Sequence, residues 1–142
     1  MQQFPHHYQV NAQSAQEGSV QLSAENLPAI ETAPPAQFGG PGNLWSPEDM
    51  LVGSIANCFI LTFRAIARAS RLEWTSLTCD VSGTLDRVER STEFTEFTVS
   101  AQLTVPGSTD HSKAQTLLEK AEQNCLITNS LKASCHLKTS IQ

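Results

Sequence analysis

The stretch SPEDMLVGSIANCFILTF, residues 46–63, decides the fold. Ser46 reads as a helix N-cap, and Pro47 takes the first helical position, where its missing N–H costs nothing. Glu48 and Asp49 place negative charge in the first turn, against the positive end of the helix. Asp49 follows Ser46 by three residues, the spacing of a capping box with Asp in place of Glu. From Met50 to Phe63 no residue is charged, and apolar groups occur nearly all round. A bilayer span needs roughly 20 such residues, whereas about 10–14 suit a buried core helix. The expectation is a central helix running to about Ser70, enclosed by other elements and spanning no membrane. Arg64, Arg68 and Arg71 follow at its negative end, where cations are favoured.

Upstream of this helix, Tyr8 to Glu25 predicts a hairpin, with strands at Tyr8–Asn11 and Ser19–Leu22 around a turn containing Gly18. Leu27 to Leu44 carries Pro28, Pro34, Pro35, Gly39, Gly40, Pro41 and Gly42. That composition predicts a long loop with one short strand at Ala29–Thr32, anchored by Phe38 and Trp45. Downstream, Trp74–Leu85 and Phe94–Val105 alternate as strands, joined through the polar link Asp86–Thr92. Pro106-Gly107 breaks the chain, and Ser108 or Thr109 is the candidate cap of a second helix. On it Ala114, Leu117, Leu118, Ala121 and Cys125 form one apolar face. A last strand is expected at about Ala133–Ile141. Strands, buried helix, hairpin, helix and strand in this order make the class α+β.

The length, 142 residues, suits a single domain over 1–142 with a real core. A net charge of -5 opposes nucleic-acid binding, because phosphates demand a basic surface. The first 63 residues hold Glu17, Glu25, Glu31, Glu48 and Asp49 but no Lys or Arg. The start MQQFPHHYQV has neither the basic nor the apolar region of a signal peptide. Four cysteines in such a context read as free thiols in a reducing cytoplasm, not as a disulfide framework.

Free cysteines are often inert apolar residues. Cys79 and Cys135 read that way, each in a strand-like stretch. Cys135 and His136 are neighbours on a strand and face opposite sides, and no CxxC or HxxxH spacing supports a metal site. Cys58 differs, with Ser54 and Thr62 at i−4 and i+4 on its own helix face; each hydroxyl can equally satisfy itself on a helix carbonyl. Cys58 lies mid-helix, where the dipole contributes little, so its activation is expected from a nearby cation. Cys125 is expected at a helix C-terminus, where the negative dipole end disfavours its thiolate. It suits the role of a second thiol that captures an oxidised first one.

GGPGNLWSPEDMLVGSIANCF, and further on AEQNCLITNSL, resemble the OsmC/Ohr family of organic hydroperoxide reductases. The matching features are Gly39-Gly40-Pro41, the Ser46-Pro47-Glu48 start, Cys58 placed after that Glu, and the Ala-Glu-x-x-Cys helix ending at Cys125. The resemblance implies an intertwined homodimer, with two central buried helices between six-stranded sheets. It implies a thiol peroxidase without cofactors, whose peroxidatic thiolate is Cys58 and whose resolving thiol is Cys125. The substrate is then an organic hydroperoxide, and the reductant a dithiol of lipoyl or other type. Cα atoms of residues 58 and 125 should then approach within about 7 Å.

Glu48 matches the carboxylate that orients an activating arginine in this family, and equally suits a helix N-terminus electrostatically. Ten residues of helix hold it about 15 Å from Cys58, so contact within one helix is excluded. The family arginine belongs in the N-terminal hairpin, where this chain has none. Arg64 lies on another face of the helix from Cys58, which leaves Arg87, Arg90, His6 and His7 as candidate cations. Leu126 stands where relatives commonly carry proline. An OsmC-like dimer that binds an apolar small molecule, with weak or no peroxidase activity, is the alternative.

Overall fold

The charge-free run is helical: α1 spans Pro47–Ala69 in the computed structural model, which describes residues 1–142. The chain divides into two compact units, Met1–Met50 and Leu51–Gln142, with α1 beginning in the first and running through the second.

In Met1–Met50, three short strands form an antiparallel sheet in the order β1-β2-β3: β1 Asn11–Gln13, β2 Val20–Ser23 and β3 Ile30–Thr32. Asn11 pairs with Ser23 and Gln13 with Gln21, so the first strand begins at the last residue of the Tyr8–Asn11 expectation. The polar Asn-Ala-Gln segment pairs because Gly18, at φ 96°, turns the chain back at that point, whereas the more strand-like Tyr8 and Val10 stay exposed and unpaired. The expected strand at Ala29–Thr32 is β3, hydrogen-bonded to β2. The loop after it is not featureless, since Ala36–Phe38 make a 3-10 turn closed by Gly39 at φ 83°. Gly40 passes so close to the Pro34 carbonyl that a Cβ there would overlap it. Phe38 and Trp45 do not anchor the loop by burial, being 59% and 57% exposed. Backbone pairing holds it instead: Ala33 N–H donates to the Trp45 carbonyl at 3.0 Å.

The capping box forms as read. Asp49 N–H donates to Ser46 Oγ at 3.0 Å, and Ser46 N–H returns a bond to Asp49 Oδ2 at 3.3 Å. Ser46 is fully buried, so this cap is worth about 1 kcal/mol.

In Leu51–Gln142, β4 (Ser76–Val88) and β5 (Ser91–Thr104) form a long antiparallel hairpin. Val88 pairs with Ser91, so the expected polar link Asp86–Thr92 is mostly strand and the turn is Glu89-Arg90 alone, with Glu89 at φ 58°. Cross-strand pairing overrides the polarity of the link. Helix α2 (His111–Gln123) and the single turn α3 (Leu126–Asn129) follow, and β6 (Ser134–Ile141) returns parallel to β5, giving the order β4-β5-β6. The cap of α2 is Asp110, not Ser108 or Thr109: its carboxylate accepts the Ser112 N–H at 2.8 Å. Thr109 is engaged elsewhere, donating to the Glu73 carbonyl at 3.1 Å.

The core of this unit follows from two periods. Ile55, Phe59, Phe63 and Ala67 recur every four residues on α1, and Phe97, Val99, Ala101 and Leu103 recur every two on β5. Ala114, Leu117, Leu118 and Ala121 of α2 complete it. Each fully buried Phe or Leu contributes about 1.5–3 kcal/mol relative to exposure. The expected enclosure of α1 is partial within this chain. One stripe is buried, while Leu61 remains 51% exposed among Asn57, Arg64, Ala65 and Arg68. By length and composition alone α1 could cross a bilayer, yet its buried stripe packs in the core formed with β5 and α2.

Candidate active site

Cys58 and Cys125, widely separated in sequence, come close enough in Leu51–Gln142 for each thiol to perturb the other, and both are free. Cys58 is half-buried on α1, and Thr62 Oγ1 lies 3.8 Å from its sulfur one turn on. Ser54 does not join them. Its hydroxyl donates back to the Leu51 carbonyl at 2.6 Å, which is the self-satisfying arrangement of a helical serine.

Cys125 does not end α2. That helix stops at Gln123, Asn124 caps it, and Cys125 is the extended residue that starts α3, with φ -69° and ψ 105°. The chain therefore changes direction at Cys125, between the two helices. Burial alone would push the Cys58 thiol up. Hydrogen bonds from the Ile127 N–H, the Cys125 thiol, the Thr62 hydroxyl and the Leu126 N–H outweigh it and hold Cys58 below its ordinary value. The cation expected from sequence is not among these groups. Arg64, Arg68, Arg87 and Arg90 are all exposed, and neutral donors supply the lowering.

The Cys125 thiol is pushed up, as expected, but for a different reason. Its side chain is 2% exposed, and desolvation comes first. Bonds from Thr128 oppose this, and the adjacent Cys58, as hydrogen-bond acceptor and negative charge, adds to it. The two thiols are thus pushed in opposite directions, Cys58 down and Cys125 up.

Cys79 and Cys135 are not isolated from this pair. Both lie on the inward face of the sheet β4-β5-β6 and feel the charge of Cys125. Burial, then Asp80 and the neighbouring cysteines, pushes Cys79 up to about 11. Burial, then Glu122, pushes Cys135 up to about 11. Period-2 alternation signalled their common inward face, and pairing of β4 and β6 on either side of β5 brought them near Cys125. His136 faces the other way, 3.9 Å from Glu96.

Glu48 belongs to Met1–Met50. It lines a cavity of about 360 Å³ with Ala12, Leu22, Ala33, Pro35 and Phe38 among its walls. Its Oε2 is buried and has no hydrogen-bond partner. A carboxylate oxygen so placed is a demand for a donor, since desolvation without one costs about 1–3 kcal/mol or more. His6 and His7 are exposed in the N-terminal stretch, His6 stacked on Phe4 and bonded to the Gln2 carbonyl at 3.0 Å.

A family model described as OsmC-like protein matches residues 40–140. The chain is 25% identical over 107 residues to the uncharacterized protein YmaD of Bacillus subtilis (strain 168), covering 73% of this chain and 71% of that one. Among solved structures, an OsmC-like protein of unknown function from Vibrio cholerae superposes with a TM-score of 0.85 at 17% identity, covering 97% of this chain and 100% of the other. An organic hydroperoxide resistance protein OsmC from Legionella pneumophila superposes with a TM-score of 0.76 at 19% identity, covering 99% of each. At such identities the likeness establishes the α+β fold read from the sequence.

Proposed function

Because this chain belongs to the OsmC-like protein family, we propose that it is a cysteine-based thiol peroxidase that reduces organic hydroperoxides. The observation that supports this reading is the pair of neighbouring free thiols pushed in opposite directions, Cys58 lowered and Cys125 raised. The Cys58 thiolate attacks the distal oxygen of the hydroperoxide, and the O–O bond breaks. The alkoxide leaves, takes a proton to become the alcohol, and Cys58 becomes a sulfenic acid.

Attack also prepares resolution. Once Cys58 is a neutral sulfenic acid, the charge and acceptor that hold Cys125 protonated are gone. Cys125 then loses its proton and attacks the Cys58 sulfur, and hydroxide leaves with that proton as water. The Cys58–Cys125 disulfide is returned to two thiols by exchange with an external dithiol, of lipoyl or other type. A reducing cytoplasm suits a cycle that ends with both thiols free. Glu48 is proposed as a catalytic carboxylate, and its buried, unpartnered Oε2 supports a role in holding a donor.

We further propose that residues 1–142 act as a single OsmC-like domain in an intertwined homodimer, in which a second copy covers α1 and extends each three-stranded sheet to six. The exposed Leu61 on an otherwise charge-free segment supports this. One equivalent of cumene hydroperoxide added to reduced protein should consume two thiols and give a Cys58–Cys125 disulfide by peptide mass mapping, and Cys58→Ser should abolish turnover. A Cys58 that stays unreactive for minutes at neutral pH defeats the peroxidase reading. The second reading, an apolar-ligand binding dimer, then takes its place. The cavity at Glu48 and the lack of any Lys or Arg before Arg64 favour it.

A further inference from the structure

The cavity of about 360 Å³ in Met1–Met50 is distinguished by what its walls lack. Of the eleven residues that line it, only Thr32 and Glu48 have an oxygen or nitrogen in the side chain. The Thr32 hydroxyl is engaged, donating to the Val20 carbonyl at 3.3 Å. Pro34, Pro35 and Pro47 have no backbone N–H to offer. Other wall residues commit theirs to the backbone: Ala33 to the Trp45 carbonyl at 3.0 Å, Phe38 to Pro35 at 2.9 Å and Met50 to Ser46 at 2.9 Å. Glu48 Oε2 is buried without a partner, and neither ion pair of the chain involves Glu48. Met1–Met50 holds five carboxylates, Glu17, Glu25, Glu31, Glu48 and Asp49, and no Lys or Arg to answer them. The positive end of α1 favours charge on Glu48 but gives Oε2 no hydrogen bond.

We infer that this cavity binds a small organic ammonium ion, a primary amine on an apolar chain. The apolar walls take the chain, and the ammonium N–H groups donate to the carboxylate of Glu48, which lines the cavity and is only half-buried. A volume of this size lies at the lower end of small-molecule pockets, which run from about 300 to 1,000 Å³. An alcohol of equal length fills the same walls without the charge that makes such a bond strong. A fatty carboxylate meets a like charge. The inference gives the ligand of the second reading a chemical class, and it requires no reaction at Cys58.

Calorimetric titration of the wild-type protein with octylammonium, 1-octanol and octanoate at pH 7 tests this. Octylammonium should bind roughly ten- to a hundredfold more tightly than 1-octanol, the gain expected from a hydrogen bond to a charged group. Octanoate should not bind measurably. From butylammonium to octylammonium, each added methylene should tighten binding about three- to fourfold. Glu48→Gln keeps the shape and removes the charge, so octylammonium should then fall within about threefold of 1-octanol. Equal binding of amine and alcohol by the wild type overturns the inference, as does a preference for the amine that survives in Glu48→Gln.

If Glu48→Gln fails to fold, nuclear Overhauser contacts in the wild type decide. The alkyl chain should contact the methyl groups of Leu22 and Ala33, and contacts confined to other parts of the chain refute the site. Hydroperoxide is absent from these titrations, so the two readings fail separately. A protein that ignores octylammonium yet forms the Cys58–Cys125 disulfide loses this ligand and keeps its peroxidase reading. One that binds octylammonium and ignores hydroperoxide does the reverse.

Discussion

Replacing Cys125 in two ways separates its role as donor from its role as resolving thiol. Its thiol neighbours Cys58 and, acting as a donor, is one of the groups that hold Cys58 below its ordinary value. A hydrogen bond to a charged group contributes about 1.5–3 kcal/mol, and a sulfur donor belongs at the lower end. Cys125→Ala should therefore cost the Cys58 thiolate about 1.5 kcal/mol, which is roughly a tenfold loss of thiolate below its pKa. The remaining thiolate is more basic and more nucleophilic, with a Brønsted slope of about 0.4–0.5. That recovers nearly half of the logarithmic loss, leaving Cys58 alkylation at pH 7 about three- to fourfold slower. Cys125→Ser keeps a donor and should leave the rate within about twofold of wild type. Neither variant can form the disulfide, so each should lose one thiol per hydroperoxide and accumulate a sulfenic acid that dimedone traps. Stopped-flow alkylation and mass spectrometry of the trapped product measure both effects. Equal alkylation by the Ala and Ser variants would refute the donor argument. A second thiol lost in either variant would refute Cys125 as the sole resolver.

Two further outcomes follow from the burial pattern. Glu48→Gln removes the charge from a buried oxygen that has no partner. It should raise stability by up to about 1 kcal/mol in urea unfolding at fixed protein concentration, while lowering hydroperoxide turnover; a loss of stability would mean that Oε2 is satisfied after all. Cys79 and Cys135, both at about 11 in the fold against an ordinary value of 9.0, should escape alkylation at neutral pH. In unfolded chain they ionise first, so the stability they contribute is whole below pH 9 and is lost between pH 9 and about 11. Cys79→Ser with Cys135→Ser should flatten the alkaline limb of a urea-midpoint-versus-pH curve, and an unchanged limb would count against their raised values.

Local chemistry made several elements legible in advance. The Ser46–Asp49 cap, the start and end of α1, the alternation of β5 and the apolar face of α2 each depend on residues within one turn or one strand, so their signals lie in adjacent letters. The position of β1 was less legible because a three-residue strand carries almost no periodicity, and its partner was chosen by the turn at Gly18. The Asp86–Thr92 link was misread for a related reason: cross-strand pairing, not polarity, extends β4 and β5 to within two residues of each other.

Of the candidate site, the sequence by itself determined the identity of the two thiols, their family motif, and the lack of Lys or Arg before Arg64. Which groups surround those thiols was decided only by the tertiary structure. Cys79 and Cys135 read as isolated strand thiols, and nothing in the letters around them announces Cys125 as a neighbour. Pairing of β4 and β6 on either side of β5 puts both near Cys125, a placement set by the sheet order. Helix and strand periods lie in adjacent letters, whereas a cluster of thiols from separate elements exists only once the chain has folded.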